Sequence, residues 1–470
     1  MSQYRFDEDN ISYEAQTYAT CNGLVMRSKP TPESDPKCVT VEHVAFTLHP
    51  HSYPRKAYED VVEASPLLNS VVDGMSRDPS FLVESLKGTA QADDFTGKLL
   101  DIYKRTFESN KNKYAMAVHR SDYMLHHDTE KNEHIPQQVE LNTISSAFLS
   151  LSTLTHDLHQ YLSSPSEKKS GEWIRSTSKD TVPKLFAKAH EVFGEKGQVI
   201  LFVVQANERN YADQKHLQHA LWEKYQIPVV RKTLSELSKL SDQKKLLCDG
   251  NIVIEGRVVS VVYFRAGYTP DDYPTQSEWN ARYEVEASSA IKCPNIGHHL
   301  VGAKKIQQVM ADQKVLSKFS NQHEKIFKLF TGLYGLESTL DQSTIQHAIQ
   351  HPELYVLKPQ REGGGNLIHG QRMQALLKEE LDKDLARDKY ILMKRIKPQS
   401  FQSRIMRSGV TKDVECVAEL GTFGLYLHNG VDQEAVVNEC GGYLLRTKAA
   451  HDEDGGVASG IASMDSLCLI

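Results

Sequence analysis

The run Val199-Ile200-Leu201-Phe202-Val203-Val204 limits the fold more than any other stretch of this chain. Six successive apolar residues, most of them β-branched, leave no polar face. A strand built from them must be covered on both sides, which places it in the middle of a parallel sheet with helices on either face. A helical pattern over residues 182–193 leads in through Gly197, and a helix through Gln214 and Leu217 follows. Strand patterns come next at 228–231, 246–248, 252–254 and 258–264. That order is a doubly wound unit, and ligands of such units gather beyond the C-terminal ends of the strands. Asn207-Glu208-Arg209-Asn210, running on to Gln214, and Arg265-Ala266-Gly267-Tyr268 lie at two such ends, so they should face one crevice.

The whole chain has 470 residues, more than one ordinary core serves, so two or three lobes are expected. Residues 1–39 read as polar and irregular, with Ser28-Lys29-Pro30-Thr31-Pro32 as a breaker cluster. Residues 53–112 carry helical periodicity, with a helix start at Asp93-Asp94 before Phe95. Strands are expected at 114–118 and 137–141, then a helix near 145–162. Helices near 304–318 and 322–333 precede strands at 355–357, 390–393, 414–420 and 443–448. A loop of small residues follows from Asp454 to Gly460.

Charge and cysteines narrow the function. With 55 basic and 61 acidic residues the formal charge is −6, which argues against a nucleic-acid binder that works by bulk charge. Local basic pockets for small anions remain open. Seven widely spaced cysteines without a C-x-x-C pair read as reduced thiols. No apolar leader and no run of membrane length occur, so no membrane partner and a cytoplasmic location are expected; a chain with its leader removed would read the same.

The most suggestive local motif is Lys358-Pro359-Gln360-Arg361-Glu362-Gly363-Gly364-Gly365-Asn366. A cation stands at a strand end, a carboxylate lies four residues on, and three glycines let backbone N–H groups approach an anion. A plain tight turn with Lys358 and Glu362 solvated suits the same residues. Strand alternation puts Glu140 and Asn142 on one face, as hard oxygen donors suited to magnesium or simply as a polar edge. No G-x-x-x-x-G-K-[ST], G-x-G-x-x-G after a strand, H-E-x-x-H or G-x-S-x-G occurs. Phosphate chemistry would therefore use separate lysines, Lys304 and Lys358, with a glycine-rich flap. Arg120, Arg265 and Arg446 at strand ends can each clamp a carboxylate. Cations for a triphosphate, oxygens for a metal and arginines for carboxylates are the parts of an ATP-dependent carboxylate–amine ligase.

From about residue 40 onward the chain resembles the eukaryotic glutathione synthetases, which are ATP-grasp ligases. The motifs are Arg120-Ser121-Asp122-Tyr123-Met124, Glu140-Leu141-Asn142-Thr143-Ile144-Ser145, Glu208-Arg209-Asn210, Tyr263-Phe264-Arg265-Ala266-Gly267-Tyr268, the Lys358 stretch, Leu445-Arg446-Thr447-Lys448 and Asp454-Gly455-Gly456-Val457. The resemblance implies a mixed α/β ATP-grasp fold in three parts. Residues 1–196 would be a helical part with the first strands of the body. Residues 197–300 would be an inserted doubly wound substrate-binding unit, and residues 301–470 the rest of the body with its lid. It implies ligation of γ-glutamylcysteine to glycine through an acyl phosphate, with ATP, two magnesium ions and a homodimer. Glu140, Asn142 and Glu362 resemble the magnesium ligands. Lys304, Lys358 and Lys448 resemble the phosphate lysines, beneath Gly363, Gly364, Gly365 and Asn366. Met393, Ile396, Glu419 and Asp454 complete the nucleotide contacts, with Glu419 at the ribose. The dipeptide would be held by Arg120, Ser145, Glu208, Arg209, Asn210, Gln214, Arg265 and Tyr268, and the incoming glycine by Arg446, Val457 and Ala458. Arg120, Lys358 and Arg446 would act at the reacting groups.

Some positions depart from the family pattern. Ala147 stands in place of a serine, Leu149-Ser150 replaces a glycine-containing stretch, and Leu367 and His369 replace an asparagine and a tyrosine after the flap. Lys394 replaces an acidic or neutral residue beside the adenine. One neutral hydrogen bond is worth about 0.5–1.5 kcal/mol, up to roughly tenfold in affinity. A second reading is thus a diverged relative with weak activity, a different acceptor or a binding role.

Overall fold

The doubly apolar run forms the strand Val199–Val203, and every residue of it is buried. In this computed structural model, residues 5–29, 39–107, 114–128, 130, 132–164, 171–194, 196–336, 342–360, 366–379, 387–431, 434–452 and 455–470 are described. Val199–Val203 pairs in parallel with Val229–Lys232 on one side and Arg257–Phe264 on the other. Ile291–Cys293 adds a further parallel strand. The alternation of the run splits it between two cores. Ile200 and Phe202 join Phe186, Leu217 and Leu221, from the helices Ser178–Phe193 and Tyr211–Tyr225. Val199, Leu201 and Val203 join Leu234, Leu237, Trp279 and Val285, from Leu234–Asp242 and Gln276–Ala287. Each such side chain contributes roughly 1.5–3 kcal/mol by leaving water. The doubly wound unit read from the sequence is therefore present.

A seven-stranded sheet forms the body. Its order is Phe401–Arg407, Phe46–Thr47, Ser463–Asp465, Val437–Ala449, Val410–His428, Ala115–Asp128 and Glu133–Asn142. Val410–His428 is its spine and pairs with Val437–Ala449, Ala115–Asp128 and Phe401–Arg407. The register sets Glu419 opposite Arg446, Gly421 opposite Asp122, Asp122 opposite Glu140, and Arg120 opposite Asn142. Cross-strand partners share a face, so adjacent strands deliver these side chains to one surface. Above it stands a smaller antiparallel sheet of Leu333–Tyr334, Tyr390–Lys394, Tyr355–Pro359 and Ile368–His369. That sheet has its own core, which includes Ile345, Leu357, Met373 and Leu392.

Several expectations need correction. Residues 1–39 are not wholly irregular: Glu8–Cys21 is a helix and Val25–Arg27 a strand. The helix buries Ile11, Ala15 and Ala19 at four-residue spacing, a stripe too poor in large apolar residues to stand out. The expected strand at 114–118 runs on as Ala115–Asp128, and that at 414–420 is part of Val410–His428. The buried charges Arg120 and Asp122 interrupt the apolar pattern of the first, and exposed charges before residue 414 and the glycines Gly421 and Gly424 interrupt that of the second. The helix expected from 145 begins only at Leu151, because Ser145 and Phe148 adopt positive φ. Leu333, expected in a helix, pairs as a strand with Met393. The start at Asp93 holds: its carboxylate accepts from the Thr96 N–H at 3.0 Å.

One buried carboxyl makes the sheet sensitive to pH. Burial pushes Asp465 up to about 7, against hydrogen bonds from Thr447 and Ser466. A folded value above the ordinary 3.8 gives stability that is present below about pH 4 and lost as pH rises through about 7. The thermal midpoint of the wild type should therefore fall relative to Asp465→Asn by several degrees between pH 5 and pH 8. Parallel melting profiles would contradict the burial argument.

Candidate active site

A cleft of about 520 Å³ lies between the charged face of the seven-stranded sheet and the small antiparallel sheet. Arg120, Glu140, Asn142, Ser145, Tyr268, Lys304, Lys358, Asn366, Met393, Ile396, Glu419, Arg446 and Lys448 all line it. Residues expected to act together from distant parts of the sequence thus share one space. Glu362, Gly363, Gly364, Gly365 and Asp454 lie outside the described residues.

The charges are closely balanced. Lys304 Nζ lies 3.3 Å from Glu140 Oε2, and Lys358 Nζ donates to the Val139 carbonyl at 2.6 Å. Burial favours a neutral Glu140, but Lys304, Lys358, Arg120 and Arg446 outweigh it and hold the carboxyl well below the usual range. Burial lowers Lys358, with Glu140 opposing. Burial raises Glu419, which Arg446 opposes. Burial disfavours the Arg446 charge, yet Glu419, Asp122 and Glu140 more than restore it and hold its pKa above the ordinary guanidinium range. Arg446 Nη2 donates to both Glu419 and Asp122. A cleft of this kind suits a polyanion that meets the lysines while carboxylates meet the arginines.

Glu140 and Asn142 share a face, as the alternation requires, and Asn142 Nδ2 donates to Glu140 Oε1 at 3.2 Å. An ionised carboxylate beside an amide oxygen is a hard donor set that fits magnesium. Among the described residues no group of three His, Cys, Asp or Glu side chains is placed to hold a metal unaided. Magnesium sites of this type usually draw further ligands from substrate phosphates and water. One flank is apolar: Val356, Met393 and Ile396 cluster with Met124, Val139, Leu333 and Leu367. This slot suits an aromatic base. Lys394 is bound there through its backbone, whose N–H donates to the Gly332 carbonyl at 2.8 Å.

The doubly wound unit supplies the other end. Arg265 Nη1 donates to the Ser146 carbonyl at 2.6 Å, and Nη2 pairs with Glu208 at 3.1 Å. Gln214 donates to Glu208 and accepts from Arg231 Nη2 at 2.6 Å. The crevice expected between the two strand-end segments is therefore formed. Among the described residues, Asn210 Oδ1, Ser146 Oγ, Arg265 Nε and Arg231 Nη1 are buried there without a hydrogen-bond partner, which suits a polar ligand. Ser145 Oγ donates to the Phe264 carbonyl at 3.2 Å. Arg209 is placed differently. It donates to the Ala458 carbonyl at 2.7 Å and pairs with Glu42 at 2.9 Å, so it holds the 455–461 loop on which the buried Val457 lies.

Two residues given no role from the sequence organise the site. Asp122 is fully buried and accepts from both Arg120 and Arg446. Its spacing of two from Arg120 on a strand was a usable signal. Asp213 accepts backbone N–H groups from Phe148, Leu149, Ser150 and Leu151. It thereby caps the helix Leu151–Leu162 from another helix, an arrangement with no local sequence signature. Asp213→Ala should lower unfolding stability by about 3 kcal/mol or more, because several buried donors lose their acceptor. Urea denaturation measures this, and a loss below about 1 kcal/mol would contradict the capping role.

Known proteins share both the sequence and the shape. The family model for the ATP-binding domain of eukaryotic glutathione synthase matches residues 6–469. A chloroplastic glutathione synthetase from Solanum lycopersicum is 42% identical over 92% of this chain and 79% of its own. Glutathione synthetases from Dictyostelium discoideum and Homo sapiens are 38% and 34% identical, each over 97% of this chain and 98% and 96% of their own. The structure of a glutathione synthetase-like effector from Globodera pallida superimposes with a TM-score of 0.77, covering 99% of this chain and 98% of its own at 21% identity, and so supports the fold. With a match of that extent and relatives of that likeness, the chain belongs to the eukaryotic glutathione synthetase family.

Proposed function

We propose that this cleft joins γ-glutamylcysteine to glycine at the expense of ATP, giving glutathione, ADP and phosphate. The observation that carries the reading is Glu140, an ionised carboxylate held among Lys304, Lys358, Arg120 and Arg446. Such a site binds a triphosphate and its metals together with a carboxylate substrate. In this reading Lys304, Lys358 and Lys448 hold the phosphates, and the apolar flank at Val356, Met393 and Ile396 receives the adenine. Leu367, a departure from the family pattern, packs with that flank. Arg265, Glu208 and Gln214 bind the charged glutamyl end of the dipeptide, with Asn210, Ser145 and Tyr268 nearby.

Arg120 and Arg446 orient the cysteinyl carboxylate toward the γ-phosphoryl group. The acyl phosphate formed is then attacked by the amine of glycine, seated near Arg446, Val457 and Ala458, and phosphate leaves. Glu140, Asn142 and Glu362 would hold two magnesium ions, which neutralise charge on the phosphates. The small pair Ala458-Ser459 favours an acceptor of glycine's size. The reading includes three units at 1–196, 197–300 and 301–470, a homodimer and a cytoplasmic location. Among the described residues no helix is long and apolar enough to cross a membrane. Ala147, where the family pattern has a serine, packs against the main core.

The test is phosphate release with ATP, magnesium, γ-glutamylcysteine and a panel of small amino acids. Glycine-dependent release is expected, and no release with any acceptor would refute the reading. Glu140→Gln should lower kcat by about 100-fold or more in protein that still folds, as judged by an unchanged circular dichroism spectrum. Unchanged turnover would remove Glu140 from the metal and phosphate site.

A further inference from the structure

We infer that Asp122 is the positioning residue that aims both substrate arginines. Its oxygens accept from Arg120 Nε at 2.7 Å, Arg120 Nη2 at 2.8 Å, Arg446 Nη2 at 3.0 Å and Asn142 Nδ2 at 3.0 Å. Asp122 is fully buried, so it binds neither solvent nor substrate. Each guanidinium is a planar fork of five donors. Asp122 takes one edge of Arg120 and one nitrogen of Arg446, leaving other donors of both forks to the cleft they line. One carboxylate thus fixes the angle between two cations that come from different strands. The inference deepens the ligase reading and rests on it.

An independent feature points the same way. Gly421 lies opposite Asp122 on the spine strand. A Cβ there would fall 2.5 Å from Asp122 Oδ1 and 3.1 Å from Arg120 Cδ and Cγ. Its φ is not positive, so the backbone does not require glycine. The missing side chain makes room for the Asp122–Arg120 pair. Gly421→Ala therefore displaces the Asp122–Arg120 pair without changing any charge.

The experiment compares wild type, Asp122→Asn, Gly421→Ala and the double variant as full-length enzymes in the glycine-dependent phosphate assay. Asp122→Asn should lower kcat/KM for γ-glutamylcysteine by about 100-fold, and Gly421→Ala by about tenfold, since a misplacement of about 1 Å can cost that much. KM for ATP should stay within about twofold in both, a split that general loss of structure would not produce. The double variant should be no worse than Asp122→Asn alone, because Gly421 acts through Asp122. Multiplicative effects, or a KM for ATP that rises as much as the KM for the dipeptide, would overturn the inference. Should Asp122→Asn fail to fold, an unaltered dipeptide kcat/KM in Gly421→Ala would overturn it alone. An inactive wild type would instead defeat the ligase reading, so the two failures are distinct.

Discussion

Arg120, Arg446, Lys304 and Lys358 crowd against Asp122, Glu140 and Glu419 in and beneath one poorly solvated cleft. Removing an unpaired charge from water costs several kcal/mol, so each must arrive with its partner in place. Arg120 and Arg446 meet on Asp122, Lys304 meets Glu140, and Arg446 also meets Glu419. Arg120 and Asp122 share the strand Ala115–Asp128, and Glu419 and Arg446 face each other across adjacent strands. Arg446 reaches Asp122 past the intervening strand, and Lys304 comes from the helix Lys304–Met310, so most of the compensation depends on strand register. A slip of one residue in any of these strands would send its charged side chains to the opposite face. The same register that forms the sheet therefore builds the charge pattern on which the proposed chemistry depends.

The second half of the site is set by the strand Val199–Val203. Because both its faces are buried, the segments after neighbouring strands must emerge at one edge. That edge carries Glu208 and Arg265, linked at 3.1 Å. Asp213 then ties the helix Tyr211–Tyr225 to the turn at 148–151, where positive φ at Ser145 and Phe148 redirects the chain. Arg209 acts similarly on the other side through the Ala458 carbonyl. A few polar bridges, rather than apolar packing alone, set the Glu208–Arg265 crevice against the Glu140 cleft.

Much of this could be read from residue pattern. The apolar run at 199–204 dictated the doubly wound unit, and period-two spacing put Glu140 beside Asn142. Wherever a segment was apolar on a regular period, its identity was legible. The failures have a common cause. Ala115–Asp128 runs through the buried charges Arg120 and Asp122, and Val410–His428 through exposed charges and the glycines Gly421 and Gly424, so their hydrophobic pattern breaks where their pairing continues. Glu8–Cys21 buries alanines, which carry little signal. Asp122 and Asp213 act on partners fixed by tertiary structure: Arg446 from a strand two places away in the sheet in one case and a turn more than sixty residues earlier in the other. No local rule joins such residues before the fold is known.

The proposed chemistry requires the cleft's oxygens and lysines to converge on a triphosphate and its metals. Anomalous diffraction from crystals of the protein grown with manganese and a non-hydrolysable ATP analogue tests this most directly. A metal peak within about 2.0–2.2 Å of a Glu140 carboxylate oxygen and the Asn142 amide oxygen, with Lys304 and Lys358 on the phosphates, is the predicted result. A nucleotide bound with its metals away from Glu140 and Asn142 would contradict it.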